Sequence, residues 1–359
     1  MSGNFSSDSL MNFLNTTYSI LIEPFLKLFN VSQKDLTYGR AFLPYSPTEQ
    51  IVRSSPYLYS EYRLPFSFNG AKDSFIHYQI WYLPTAKVQR NADVLYVHGL
   101  NDYGGRFSEN CIPILEAGFR VIALDLPGFG RSSGLHAYVT DWQDFIKATK
   151  LVVDHVNEKN AEENCQRKLI LFGGSLGGLI IIDYSIKHPN TFDFLCIQCP
   201  LIHVANQSRP SKFAEIVAKL IGNSPLGRLP LVAAHRGKSS SDPKVIERFL
   251  SDPQTYHGNL RVATGLTLLY ATEWIQTKLG EVRKPFFVQH GLCDRVTLCD
   301  GTKDLFAQAQ TPEDQKTMLL YEQCEHDMFR DPLAGERGGN KGISVSMEFL
   351  LILIGSQCK

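Results

Sequence analysis

The sequence lacks an excess of charge of either sign. Its 359 residues carry 36 Lys and Arg against 36 Asp and Glu, with a pI near 7.1. That balance gives no electrostatic footprint for a nucleic-acid partner. A second CxxC to complement Cys196 and Cys199 is also missing, so a four-cysteine zinc site is not expected. The pair sits inside the apolar run Phe194-Leu195-Cys196-Ile197-Gln198-Cys199, which reads as strand. The other cysteines, at 111, 165, 293, 299, 324 and 358, are scattered along the chain. This usage suits reduced thiols of a cytoplasmic protein better than a disulfide framework.

No Lys or Arg precedes the first apolar stretch, Leu10 to Phe29, and Asn12, Asn15, Thr16, Thr17, Glu23 and Pro24 interrupt it. A secretory leader needs a basic start and an unbroken apolar centre. A membrane span needs about 20 apolar residues. Neither is expected. The stretch does have helical spacing, at Leu10, Leu14, Tyr18, Leu21, Phe25 and Leu28. Two readings follow: a helix packed on the body of the protein, or an interfacial helix touching lipid. Its only charges are Glu23 and Lys27, so attraction to anionic lipid is not expected.

What remains is ordinary globular composition, 43% hydrophobic and 20% charged. A chain this long buries a sizeable core without metal or disulfides. Residues 1–55 read as an N-terminal extension. Beyond them short apolar runs alternate with helical stretches, the pattern of a mainly parallel sheet flanked by helices. Strands are expected at 75–82, 94–98, 121–126, 169–172, 194–199, 285–289 and 317–321. Helices are expected at 108–117, 142–158, 177–187, 266–279, 301–309 and 345–354, with Gly280 as a helix stop. Between 201 and 261 no strand is evident, only a helical stretch at 212–221, a Pro/Gly passage and a polar run. That segment reads as a cap inserted between two strands of a core formed by 56–200 and 262–359.

Gly173-Gly174-Ser175-Leu176-Gly177 matches G-x-S-x-G, follows the strand Lys168–Phe172 and leads into a helical run. This strand–turn–helix setting exposes a serine at the end of a sheet, with small residues two positions either side. A serine hydroxyl needs an adjacent base. On this kind of turn the partners follow as acid, then histidine. Asp294, after the strand ending at Gln289, is the expected acid, with Asp300 the runner-up. His326, after the next strand, is the expected base. The backbone N–H groups of Leu176 and Leu100 are the expected oxyanion donors. His98 reads as structural, and Asp125 as a turn residue shaping the pocket floor.

At these residues the chain resembles the monoacylglycerol lipase and lysophospholipase-like branch of the α/β-hydrolases. The resemblance rests on His98-Gly99 through Gly105-Arg106-Phe107, on Asp125 through Gly134, on Tyr138 through Trp142, on the serine turn, and on Ser251-Asp252-Pro253. It covers roughly residues 60 to 355. Gly174 stands where the family usually carries His or Glu, and Asp102 replaces its usual Glu. The resemblance implies an eight-stranded sheet with a helical cap and cofactor-free hydrolysis of a lipid-like acyl ester. It implies substrate contacts at Asp102 and Arg106, and peripheral contact with membrane or lipid droplet through the N-terminal helix and cap. Lysophospholipids, smaller soluble esters or thioesters, and a non-catalytic binding role are the alternative readings.

Overall fold

A computed structural model describes residues 7–328, apart from 30, 32, 69–70, 72, 205–210 and 233–238. The helix expected at 345–354 lies outside the described residues.

Eight strands form one sheet: β1 (Leu58–Pro65), β2 (Phe75–Tyr82), β3 (Ala92–Val97), β4 (Arg120–Leu124), β5 (Lys168–Gly174), β6 (Phe194–Gln198), β7 (Phe286–Gly291) and β8 (Lys316–Tyr321). Their spatial order is β1-β2-β4-β3-β5-β6-β7-β8. β2 pairs antiparallel with β1 and β4, and all other pairs are parallel. β3, β6 and β7 are buried along their whole length, as strands covered on both faces must be. The order reverses around β3, so the carboxyl ends of β3 and β5 flank a crevice of the kind where open α/β sheets bind ligands.

The helices outside the insertion are α1 (Ser7–Leu21), α2 (Glu23–Leu28), α3 (Pro47–Val52), α4 (Ser108–Glu116), α5 (Trp142–Glu162), α6 (Leu176–Lys187), α9 (Val262–Gln276) and α10 (Cys299–Gln308). Local chemistry sets several starts. Asp141 caps α5 through Gln143 N–H, and Ser46 and Glu49 form a capping box ahead of Pro47 on α3. α6 buries Leu176, Leu179, Ile180, Ile181, Ile182 and Tyr184, so it is largely apolar and sits in the core, with its buried Asp183 paired to Lys187.

Between β6 and β7 lie α7 (Lys212–Ile221) and α8 (Pro243–Ser251), followed by α9. α7 has the expected bounds. α8 was hidden by the polar run before it, although Asp242 caps it and Pro243 opens it. β1 also went unread: it is an edge strand with no fully buried residue. The N-terminal stretch is two helices broken at Ile22 rather than one. The helix expected to stop at Gly280 ends at Gln276, and Leu279–Glu281 forms a separate 3-10 turn.

One side chain joins the N-terminal helix, the insertion and the loop after β4. Arg261 is fully buried. It donates to His136 O at 2.7 Å, Arg228 O at 2.5 Å, Thr16 Oγ1 at 3.0 Å and Asn12 Oδ1 at 3.0 Å. Arg228 also donates to Ser19 O and lies 3.3 Å from Glu23 Oε2. Arg261→Met removes the donors while keeping the bulk, stranding four acceptors. The expected outcome is a loss of about 3 kcal/mol of stability, read as a lower urea midpoint, with earlier proteolytic release of α1.

Candidate active site

Ser175 stands between β5 and α6 with φ 53° and ψ −116°, a conformation costly for every residue but the achiral glycine. Hydrogen bonds hold it there: Ser175 N–H to Gln198 O at 2.9 Å, and Ser175 O from Leu179 N–H and Leu201 N–H. A Cβ at Gly173 would lie 2.5 Å from Gly177 O, and one at Gly177 would overlap Val97 O. No side chain fits at either position, so the glycines let the helix start on top of the strand end.

Leu176 is the first residue of α6, and its N–H has no acceptor within the helix. Leu100 follows Gly99, where an added Cβ would sit 3.5 Å from Ser175 Cβ. The two expected donors therefore belong to segments that meet at Ser175. His98 is fully buried, with Nδ1 2.7 Å from Gly99 O and Nε2 accepting Leu126 N–H at 3.0 Å. It braces the β3 and β4 loops, as read from the sequence.

Asp294 follows β7 and His326 follows β8. Their side chains meet at 2.7 Å, Oδ2 to Nδ1. Asp294 Oδ1 accepts Val296 N–H at 2.7 Å and Thr297 N–H at 3.0 Å. Oδ2 also accepts the Thr297 hydroxyl at 2.9 Å and lies 3.1 Å from His290 Nε2. Burial opposes the charge of Asp294, but the His326 charge and the hydrogen bonds from His290 and His326 outweigh it. The carboxyl is held well below its usual range. Burial likewise opposes protonation of His326, and the Asp294 charge and hydrogen bond overcome it, raising the imidazole. Asp300, the other candidate acid, is exposed on α10 and paired with Lys303 at 3.1 Å.

Ser175, His326, Leu100, Asp102 and Arg106 all line one cavity of about 1040 Å³. Among the described residues no hydrogen bond joins Ser175 Oγ to the imidazole; such contacts commonly tighten only with substrate bound. Most of the wall beyond these groups is apolar and comes from the insertion and α9, including Phe213, Val217, Ile221, Phe249, Leu266 and Leu269. The insertion also touches the histidine loop: Asp327 N–H donates to Ser239 O at 2.9 Å and Ser241 Oγ to Glu325 at 2.7 Å.

Asp102 and Arg106 sit together at the wall. Asp102 Oδ1 accepts Tyr103 N–H at 2.9 Å, and Oδ2 lies 3.5 Å from Arg106 Nη1. The Arg106 guanidinium lies over the Phe249 ring, and its buried Nε has no partner among the described residues. Asp125 does not shape this pocket's floor. It is buried behind, accepting Gly104 and Arg131 N–H groups and paired with His77 at 2.7 Å. Sequence reasoning missed His290 and Thr297; a histidine four residues before the acid was the available signal for the first. Cys199, His290 and Asp294 place donor atoms within 4.8 Å of one another, as a metal would require. The Asp294 oxygens, however, are already taken by protein donors.

A mostly parallel eight-stranded sheet with a strained serine turn at its switch point, flanked by an acid and a histidine on later loops, is the α/β-hydrolase fold. Within it, the chain belongs to the Hydrolase_4 family, described as serine aminopeptidase, S33, which matches residues 88–333. It is 30% identical over 237 residues to caffeoylshikimate esterase of Arabidopsis thaliana, covering 65% of this chain and 70% of that one. It is 28% identical over 238 residues to monoglyceride lipase of Rattus norvegicus, covering 65% and 75%. A soluble variant of monoglyceride lipase from Saccharomyces cerevisiae, solved with a substrate analog, superposes with a TM-score of 0.64 at 18% identity, over 79% of this chain and 95% of that one. At that identity the likeness is one of fold. The resemblance to monoacylglycerol lipases drawn from the motifs is borne out.

Two outcomes are expected from the acid–imidazole pair. A base must be neutral to accept a proton, and here the neighbouring carboxylate favours the protonated imidazole. Hydrolytic activity should therefore fall on acidification through an apparent pKa above the ordinary imidazole value of 6.5, measured as kcat/KM against pH. Asp294→Asn should lower kcat by about four orders of magnitude by favouring the wrong imidazole tautomer, with folding unchanged by circular dichroism.

Proposed function

We propose that this protein is a serine hydrolase of lipid-type carboxylic esters, with a monoacylglycerol as the best-fitting substrate. The observation that carries the reading is the hydrogen bond from His326 to the buried Asp294, with the imidazole lining the same apolar cavity as Ser175. In this mechanism Ser175 Oγ attacks the acyl carbonyl carbon as His326 Nε2 takes its proton. The N–H groups of Leu100 and Leu176 stabilise the oxyanion, typically by about 3 kcal/mol each. Collapse expels the alcohol, which receives the proton from His326. Water, deprotonated by His326, then attacks the acyl-enzyme and releases the fatty acid.

The lining supports a lipid tail over a small soluble ester, because each buried methylene contributes about 0.8 kcal/mol. Asp102 and Arg106 are the polar groups proposed to meet the headgroup. The monoglyceride lipases among the relatives support the same substrate class. Residues 201–261 act as the cap in this reading, on a core of 56–200 and 262–359 with 1–55 as an extension. The seven described cysteines are all free thiols, which supports a cytoplasmic setting.

No helix among the described residues is long and apolar enough to cross a membrane. Peripheral contact is proposed instead. On the cap, Phe213 and Val217 line the cavity yet stay 75% and 38% exposed, and Leu220 and Ile216 beside them are 77% and 57% exposed. α1 and α2 expose Phe13, Leu21, Phe25 and Leu28. A cavity that opens among exposed apolar side chains takes its substrate from a lipid surface without passing the acyl chain through water.

A panel of a long-chain monoacylglycerol, a lysophospholipid, a short nitrophenyl ester and an acyl thioester tests the reading. Cleavage of the monoacylglycerol should be preferred, and Ser175→Ala should lose at least roughly a thousandfold in kcat. Turnover of short esters alone would sink the lipid assignment. Ile216→Glu with Leu220→Glu should cut sedimentation with neutral phospholipid vesicles at least severalfold and leave short-ester turnover at the wild-type rate. Undiminished sedimentation would remove the cap from the contact surface.

A further inference from the structure

The acid loop holds a group that the ester-cleavage scheme does not use. His290, in β7, is fully buried and stands four residues before Asp294. Its Nε2 lies 3.1 Å from Asp294 Oδ2 and 3.3 Å from Thr297 O. Its Nδ1 lies 2.7 Å from Thr302 Oγ1, on the first turns of α10. A carboxylate and a carbonyl are both pure acceptors, so Nε2 must carry the proton. In the neutral ring Nδ1 then holds a lone pair, and the Thr302 hydroxyl donates to it. The tautomer is thus set by partners on both sides.

Asp294 Oδ2 consequently faces two imidazoles: His326 at the cavity and His290 in the core. We propose that His290 is a positioning residue for hydrolysis: its Nε2–H, oriented by Thr302, fixes the Asp294 carboxylate toward His326 and takes a share of its charge. The inference rests on the reading of Ser175, Asp294 and His326 as nucleophile, acid and base. It joins Thr302, His290, Asp294 and His326 into one hydrogen-bonded line running from α10 to the cavity.

The physical consequence follows from charge sharing. A buried carboxylate with one donor fewer interacts more strongly with those that remain. Without the His290 N–H, Asp294 would hold the His326 imidazolium more tightly, and more base would be lost at a given pH. The other titratable groups around the pair are Cys199 after β6 and Cys299 on α10, both near Asp294, and Asp327 beside His326. Arg295 and Glu325, next in sequence to Asp294 and His326, pair with each other at 2.7 Å. None of these groups is itself altered by a substitution at His290.

The test uses the full chain with His290→Leu, His290→Gln and Thr302→Val, beside wild type and Ser175→Ala. Active sites are counted with a fluorophosphonate, and kcat and kcat/KM are followed against pH on an ester that wild type cleaves. His290→Leu should lower kcat per counted site by roughly tenfold to a hundredfold and move the acid limb to higher pH. His290→Gln, whose amide can donate to Oδ2, should recover most of kcat and bring the limb back. Thr302→Val should shift the limb in the same direction by less. An acid limb unmoved in both His290→Leu and Thr302→Val, or equal behaviour of Leu and Gln, overturns the role of His290. Should His290→Leu fail to fold, an unmoved limb in Thr302→Val alone overturns it. If wild type cleaves no ester, or Ser175→Ala matches wild type, the underlying triad reading fails and this inference falls with it. An active wild type, an inactive Ser175→Ala and an unmoved limb isolate the failure to His290.

Discussion

The backbone of Ser175 is the constraint on which the rest of the site depends. A left-handed φ at a serine costs about 1 to 3 kcal/mol, and it persists because its surroundings allow nothing else. Gln198 O, Leu179 N–H and Leu201 N–H hold the residue from three sides. The largely apolar α6 anchors the turn from below, since withdrawing it would expose a row of isoleucines and leucines. The strain is offset by the core, and it leaves the first N–H of the helix beside the serine rather than spent on a helical partner.

The acid side of the site solves a different problem, a negative charge with almost no access to water. The Asp294 side chain is 1% exposed. Isolated, such a carboxylate would sooner take up a proton than stay charged. Two backbone N–H groups, one hydroxyl and two imidazoles supply the solvation that water does not. The donors come from the loop itself, from β7 and from the loop after β8, so the carboxylate ties together two strand ends. Its position is set by the order of the sheet as much as by its own loop.

Most of this was legible from the residues because the signals were local. Continuous apolar runs marked the inner strands, and G-x-S-x-G between a strand and a helix marked the turn. Asp294 and His326 were legible from chain order and from their places after strands. What escaped depended on neighbours distant in sequence. β1 carries Glu61 and Arg63 within a half-buried edge, so no period-two pattern appeared. Asp125 looked like a pocket residue because its segment follows a strand, yet His77 on β2, 48 residues earlier, draws it into a buried pair. His290 reads as one more strand residue until β7, α10 and the acid loop are folded together. The break at Ile22 divides a stretch whose three- and four-residue spacing runs straight through it.

The Arg261 clamp has a consequence for how the chain comes together. Its bonds to Asn12 and Thr16 join residues 249 and 245 positions apart. Contacts of such long sequence separation form late, because the loop between them must first be closed. On a ribosome, the N-terminal helices emerge well before the arginine that seats them. Until then α1, whose Phe13 and Leu14 remain 65% and 48% exposed in the finished protein, has no Arg261 to dock against. The earlier-made half of the clamp is thus among the last to find its place.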